Sequence, residues 1–426
     1  MLHTVQEAVD WIEKWDKFSI KLGLERMERL MEALDHPERH SRVIHIAGTN
    51  GKGSTATYIS SMLREAGYTI GMFTSPALTR FNDRISVNGA VISDEDLLKT
   101  VNLVYEAVES LEGTECGAPT EFEVMTAIAL VYFARFAACD FVIMEVGLGG
   151  RHDSTNVVLP IIGAITNIGT DHVMQLGPTI KDIAREKAGI MKSSMPTVTG
   201  AYGEALTVIE EAAKEKHAKL YRLGREFRIE NIEPLADGEQ FTFISPFKTY
   251  EALQISMFGS HQVHNAAVAL MVVEYLHYYF ALDLSEEDIR KGLKKAKWPG
   301  RFEILSHDPL VILDGAHNLE AMQALVETVQ KHFPKRHVKV LFAAVKDKDH
   351  RALLNTLSEL TQDITLTSFE NPRAISADAL KTYLPNARLE ADWRKAYEAL
   401  RNNLAENELL IVTGSLYFVS EIKRLD

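Results

Sequence analysis

Residues 42–66, RVIHIAGTNGKGSTATYISSMLREA, constrain the fold more than any other stretch. Val43 to Ala47 is a short apolar run that reads as a buried strand, and Thr55 to Arg64 reads as a helix with Ile59, Met62 and Leu63 on one face. Between them lies Gly48-Thr49-Asn50-Gly51-Lys52-Gly53-Ser54. Strand, glycine-rich turn and helix together make a phosphate loop. The glycines let the backbone turn its N–H groups inward, and the helix N-terminus adds partial positive charge. Lys52 adds a full charge, and the Ser54 hydroxyl reaches phosphate or Mg²⁺. The spacing departs from G-x-x-x-x-G-K-[ST]: the first glycine is closer, and Gly53 separates Lys52 from Ser54.

A chain of 426 residues is too long for one typical core, so two or three domains are expected. Its 46% hydrophobic and 25% charged residues are those of a globular protein. The 46 Lys and Arg against 59 Asp and Glu give a net charge of −13, which argues against non-specific nucleic-acid binding. Any anionic ligand must then be held by local cations. Cys116 and Cys139 have no metal spacing, which suits a reducing cytosol. The N-terminus is acidic and amphipathic and does not read as a signal peptide, and no apolar stretch reads as a membrane span. A cytoplasmic protein is expected.

Strand patterns at Thr69–Phe73, Asp140–Val146, Ile161–Thr166 and Pro196–Thr199 alternate with helical ones, implying a parallel sheet covered on both faces. Ala77 to Ala90 reads as a polar loop with a strand-like Arg84–Val87 inside it. Polar residues at the carboxyl ends of such strands are where ligands bind. Glu145, Asp171 and His172 fall there. Glu145 and His172 make a carboxylate–imidazole pair suited to Mg²⁺ or Mn²⁺, and Lys187 follows on a helix. Lys219 to Phe258 is rich in alternating patterns. Lys297-Trp298-Pro299-Gly300-Arg301 reads as a domain boundary, beyond which the alternation restarts with strands at 311–313, 338–342, 364–367 and 409–412. Asp314-Gly315-Ala316-His317-Asn318 marks a strand-to-helix junction, where Asp314 either serves chemistry or caps the helix.

In order and spacing, GTNGKGS, TSP, EVGLGGRHDSTN, TNIGTDH, EKAGI, HQxxNAA, WPGRFE, DGAHN and VTGSLYF resemble the bacterial folylpolyglutamate synthase / dihydrofolate synthase family, ATP-dependent ligases of the Mur ligase group. The resemblance spans essentially the whole chain. It implies an N-terminal P-loop ATPase domain with a mostly parallel sheet, residues 1–296, and a smaller C-terminal Rossmann-like α/β domain, residues 297–426, with the site in the cleft between. It implies that ATP phosphorylates a folate or dihydropteroate carboxylate and that L-glutamate displaces the phosphate.

By the same resemblance Thr49, Asn50, Gly51, Lys52, Gly53, Ser54, Asn265, Arg301 and Asp314 bind ATP. Ser75 and Glu145 hold one Mg²⁺ with help from Ser54, and His172 and Glu145 hold a second. Lys187 matches a lysine carbamylated by CO₂; otherwise it stays cationic and faces phosphate. A monovalent cation is also admitted. Arg301 follows a hinge-like Pro-Gly pair, so domain closure is expected to deliver it to the phosphates. His317 and Ser415 match the glutamate pocket. Phe81 and Arg84 fall in the folate loop, where Phe81 either stacks on a pterin or packs the loop. Asp83 stands where Glu is usual, and Thr120-Glu121-Phe122-Glu123 where many members carry Phe-Phe-Glu. A monomer is expected, without nucleic-acid or membrane partners. The 47 residues before Gly48 leave no room for the domain of about 100 residues that precedes the loop in Mur ligases acting on nucleotide-linked peptides. The chain has no Asn-Lys dipeptide, so a GTPase base-reading motif is absent.

Overall fold

A computed structural model describes residues 1–15, 21, 23–77 and 80–425. They form two compact units. One comprises Met1–Glu230, Thr242–Leu253 and His264–Ala296; the other comprises Asn231–Phe241, Gln254–Val263 and Lys297–Asp426.

The first unit is built on eight strands: β1 (Val43–Ala47), β2 (Ile70–Phe73), β3 (Ile85–Val87), β4 (Ala90–Val91), β5 (Phe141–Glu145), β6 (Pro160–Ile165), β7 (Thr197–Thr199) and β8 (Leu220–Arg222). Their order is β4-β3-β2-β5-β1-β6-β7-β8. β1 lies in the middle, parallel to β5 and β6, and only β3 runs against the other strands, pairing antiparallel with β2 and β4. β1 and β5 are buried along their whole length, which is why they read as unbroken apolar runs. Helices cover both faces. Val5–Glu13, Asp94–Leu111, Glu121–Arg135, Ile180–Ala188 and Gly203–Glu215 all pack on the side to which Val43 and Ala47 point, and Lys52–Glu65, backed by Glu286–Lys295, packs on the other.

Two expectations are corrected here. The helix after the phosphate loop begins at Lys52, not Thr55, and runs to Glu65. The Ala77–Ala90 stretch, expected as a polar loop with a strand-like Arg84–Val87, holds that strand as β3 (Ile85–Val87) but adds a 3₁₀ turn at Phe81–Arg84 and a hairpin to β4. Asn88 and Gly89 turn it with φ of 52° and 80°, the left-handed pair that tight hairpins need. Leu78 and Thr79 of this stretch lie outside the described residues.

β9 (Arg228–Leu235), β10 (Gly238–Ile244) and β11 (Thr249–Ile255) form a three-stranded sheet in the order β11-β10-β9, and the division into units falls within these strands. The second unit carries β12 (Glu303–His307), β13 (Leu310–Leu313), β14 (His337–Phe342), β15 (Ile364–Ser368), β16 (Arg388–Asp392) and β17 (Glu408–Thr413), ordered β12-β13-β17-β14-β15-β16. All are parallel except β12. Helix-bearing cores lie on both faces of this sheet. β12 and β16 were not expected. Both are edge strands with half-exposed or exposed residues, so neither shows the apolar run of an interior strand. The observed class is nonetheless the expected α/β one, a mostly parallel sheet plus a smaller second α/β sheet.

Candidate active site

The loop after β1 is shaped by two close approaches. Gly48 has φ of 152°, and a Cβ there would stand 1.9 Å from Thr166 Oγ1. Gly51 has φ of 82°, and a Cβ there would stand 2.1 Å from Asn265 Oδ1. Only glycine fits both the angle and the space. Asn265 lies in the helix Ser260–Tyr279, so the structure brings this distant residue against the loop. The stretch following β6 fastens the loop from its other side. Thr49 N donates to Asn167 O at 3.0 Å and Asn50 N to Asn167 Oδ1 at 2.7 Å. Thr166 Oγ1 donates to Asn50 O at 2.6 Å, and Thr49 Oγ1 accepts from Gly169 N at 3.0 Å. Sequence reading passed over Thr166, Asn167 and Gly169 as loop holders. Their signal was the polar TNIGTDH run at a strand end.

Lys52 is the first residue of its helix, with Gly53 and the buried Ser54 in the same turn. Its Nζ donates to Gly48 O at 3.2 Å and Thr49 O at 3.4 Å. Lys187, in the helix Ile180–Ala188, donates to the same Gly48 O at 2.9 Å. Two lysines far apart in sequence thus share one carbonyl. Burial and, to a lesser degree, nearby Lys52 push the Lys187 pKa down to about 7 against the opposing pull of Asp171 and Asp153. Near neutrality Lys187 therefore has a substantial neutral amine fraction, the form that can act as a nucleophile.

Glu145 ends β5 and is buried; its Oε2 accepts from Ser75 N at 3.4 Å. Asp153 fixes the glycine-rich loop that follows, accepting from Leu148 N at 2.8 Å and Thr155 N at 3.0 Å. Burial raises the Asp153 pKa and these bonds oppose it. Thr155 Oγ1 also meets Nε2 of the buried His45 at 2.8 Å, and burial holds His45 neutral with a pKa of about 3. His172 sits left-handed at φ 51° before a one-turn helix, its Nε2 3.9 Å from Asp171 Oδ2. Among the described residues no group of three His, Cys, Asp or Glu could hold a metal by itself. One or two carboxylates with hydroxyls, phosphate and water are what Mg²⁺ accepts, so this donor set fits that ion better than zinc.

On the loop between β2 and β3, Arg84 lies 5.6 Å from the Phe81 ring and 3.0 Å from Glu121. Phe122 stacks on Phe73 at 5.7 Å.

In the second unit, Asp314 follows β13. It accepts from Phe302 N and Ala316 N, both at 2.8 Å. It does not cap the next helix; Asn318 does, accepting from Ala321 N. Burial raises the Asp314 pKa against the pull of Arg301. Arg301 packs closely enough that a Cβ on Gly315 would be 2.5 Å from its Nη1. His317 Nδ1 pairs with Gly315 O at 2.8 Å. Ser415 is buried at the start of the last helix, beyond β17, and makes no side-chain cap. Asp314, His317 and Ser415 therefore share the carboxyl edge of neighbouring strands β13 and β17.

Two family models match the chain: the Mur ligase middle domain over residues 46–273, and the Mur ligase, glutamate ligase domain over residues 300–416. Fold and site thus define an ATP-dependent, amide-forming ligase of the Mur type. Dihydrofolate synthase/folylpolyglutamate synthase of Bacillus subtilis is 46% identical, covering 100% of this chain and 99% of its own length. Folylpolyglutamate synthase of Lacticaseibacillus casei is 32% identical over 98% and 97%. The Mycobacterium tuberculosis folylpolyglutamate synthase complexed with ADP matches with a TM-score of 0.92 at 28% identity, over 99% and 98% of the two chains. The chain belongs to the dihydrofolate synthase/folylpolyglutamate synthase family. No helix among the described residues is long and apolar enough to cross a membrane.

Proposed function

We propose that this chain uses ATP to join L-glutamate to a folate carboxylate, that of dihydropteroate or the γ-carboxylate of a tetrahydrofolate already bearing glutamate. The observation that carries the reading is 46% identity, along 100% of the chain, to a relative named for both activities. A folylpolyglutamate synthase complex with AMPPCP and folate, matching with a TM-score of 0.87, supports the same nucleotide and substrate.

A carboxylate is a poor acyl donor, so one of its oxygens must leave as phosphate. The carboxylate oxygen attacks the γ-phosphorus and ADP departs. The free glutamate amine then attacks the acyl carbon, phosphate leaves, and the nitrogen gives up one proton, keeping the other as the amide N–H. Residues Thr49–Ser54 cradle the phosphates through backbone N–H groups, and Lys52 offsets the charge that develops in transfer. Asn265 keeps the loop in shape at Gly51. Arg301 binds phosphate oxygens and Asp314 the ribose hydroxyls. His317 and Ser415 hold glutamate, and Phe81 and Arg84 hold folate. Ser54, Ser75, Glu145 and His172 would hold Mg²⁺, as two ions, and charge neutralisation at the transferring phosphoryl group is the chemistry the metal supplies there. Lys187 completes that set as a carbamate; unmodified, it faces phosphate as a cation. The same oxygen-rich rim admits a monovalent cation. Residues 1–296 act as the ATP-binding domain and 297–426 as the glutamate-ligase domain, in a monomeric cytoplasmic enzyme.

The test is phosphate release with ATP, Mg²⁺ and L-glutamate, offering dihydropteroate or tetrahydrofolate, with products identified by mass. Turnover with both establishes two activities, and turnover with tetrahydrofolate alone a polyglutamylase. Protein that binds ATP and turns over neither substrate refutes the reading.

A further inference from the structure

Two Arg–Glu pairs are buried at the N-terminus of the helix Glu121–Arg135, and they differ in kind. In the first, Arg26 Nε donates to both oxygens of Glu123 at 3.0 Å, Nη2 to Lys21 O at 2.8 Å and Nη1 to Cys116 O at 3.5 Å. Glu123 Oε2 also accepts from Thr120 N in a capping box. This pair is saturated, as a fold-fastening pair should be. In the second, Arg84 Nη1 lies 3.0 Å from Glu121 Oε1. Among the described residues, Arg84 Nε and Nη1 and Glu121 Oε1 nonetheless make no hydrogen bond. Arg84 is 8% exposed and Glu121 3%. A buried guanidinium with unsatisfied N–H groups is costly unless something else accepts from it.

The surroundings set the pair at the edge of the candidate site. Thr74 N donates to Arg84 O at 2.9 Å, so Arg84 stands beside the residue preceding Ser75. Phe122, next to Glu121, packs so tightly on the loop after Glu145 that a Cβ on Gly147 would lie 2.5 Å from its ring. With Phe81 under the guanidinium and Phe73 against Phe122, the pair borders both an aromatic surface and the carboxyl rim.

We propose that Glu121 is a positioning residue for folate binding: it holds the Arg84 guanidinium so that its remaining N–H groups donate to a carbonyl or carboxylate oxygen of the folate. This rests on the ligase reading above. Glu121 touches no reacting atom and acts only through Arg84. A neutral amide at 121 keeps the shape and frees the guanidinium to swing; a shorter carboxylate keeps the charge.

The experiment compares wild type, Glu121→Gln, Glu121→Asp, Arg84→Lys and the Glu121→Gln/Arg84→Lys double variant. It measures KM for tetrahydrofolate and for ATP, kcat, and folate affinity by fluorescence titration without ATP. Glu121→Gln is expected to raise the folate KM and the folate Kd about tenfold, with kcat and the ATP KM within about twofold. Glu121→Asp recovers most of the affinity. The double variant binds folate no worse than Arg84→Lys alone, because the two residues act as one unit. Unchanged folate affinity in Glu121→Gln overturns the proposal, as does an additive double variant. A parallel loss of folate affinity, ATP affinity and thermal stability overturns it too, since that marks a fold-fastening pair. Wild-type protein that turns over no folate refutes the ligase reading and this role together; active wild type with an unaltered Glu121→Gln refutes this role alone.

Discussion

Replacing Lys187 by methionine removes a buried ammonium and keeps most of the side-chain volume. Burial takes the Lys187 pKa from 10.5 to about 7. Between those values the unfolded chain binds a proton that the folded chain has released, so this group makes stability rise with pH across that window. Below pH 7 both states are protonated and the cost of burying the ammonium is present in full. At about 1.36 kcal/mol per pH unit that cost is roughly 5 kcal/mol. Methionine forfeits the bond to Gly48 O, about 1 kcal/mol. Lys187→Met should therefore be more stable than wild type by roughly 4 kcal/mol at pH 6 and by only about 1 kcal/mol at pH 9. Urea denaturation followed by circular dichroism at pH 6, 7, 8 and 9, in CO₂-free buffer so that the amine stays unmodified, measures the difference. Contributions from other titrating groups cancel between the two proteins. A difference that stays constant with pH, or a variant less stable than wild type at pH 6, would refute the burial argument.

Glu274 is a second buried ionisable group in the first unit, its pKa raised to about 7 by burial, with Tyr250, Ser245 and Lys248 opposing. The folded chain keeps a proton between 4.5 and about 7 that the unfolded chain loses, so this group lowers stability as pH rises through that window. Glu274→Gln should match wild type near pH 4.5 and exceed it by roughly 3 kcal/mol at pH 8, read from denaturation midpoints. In the second unit, Glu239 accepts from Gly259 N at 2.9 Å, His332 Nε2 at 2.6 Å and Lys331 Nζ at 3.2 Å. Glu239→Ala strands all three donors and should cost about 3–5 kcal/mol by calorimetry, whereas Glu239→Gln, which retains an acceptor, should cost less. Arg301→Ala should lower kcat roughly 100-fold at saturating ATP in the phosphate-release assay; an unchanged kcat would remove Arg301 from the transfer step.

Much of the site was legible because its signals are local. A strand five residues long, glycines at fixed offsets and a lysine at a helix start are written within residues 43–65, and short-range sterics and hydrogen bonding decide them. Strand-end acids such as Glu145 and Asp314 could be placed for the same reason, since apolar runs mark where parallel strands stop. The misread pieces lacked such a signal. β12 and β16 are edge strands with no buried run, and the helix after the phosphate loop starts three residues early because Lys52 and Gly53 carry no helical pattern of their own.

The amino-acid sequence by itself determined the alternation of strands and helices, the phosphate loop and the family. Tertiary structure alone decided which distant groups meet. Lys187 joins Lys52 on the carbonyl of Gly48, which lies 139 positions before Lys187 in sequence, and burial there, which no local pattern encodes, carries its pKa toward neutrality. Asn265 reaches Gly51, and Glu121 reaches Arg84, only because the sheet order sets their elements side by side. Residues 231–241 and 254–263 join the second unit although residues flanking them belong to the first. Propensity and periodicity act over a few residues, whereas desolvation and ion pairing depend on what lies within a few ångströms in space, and only the folded chain fixes that.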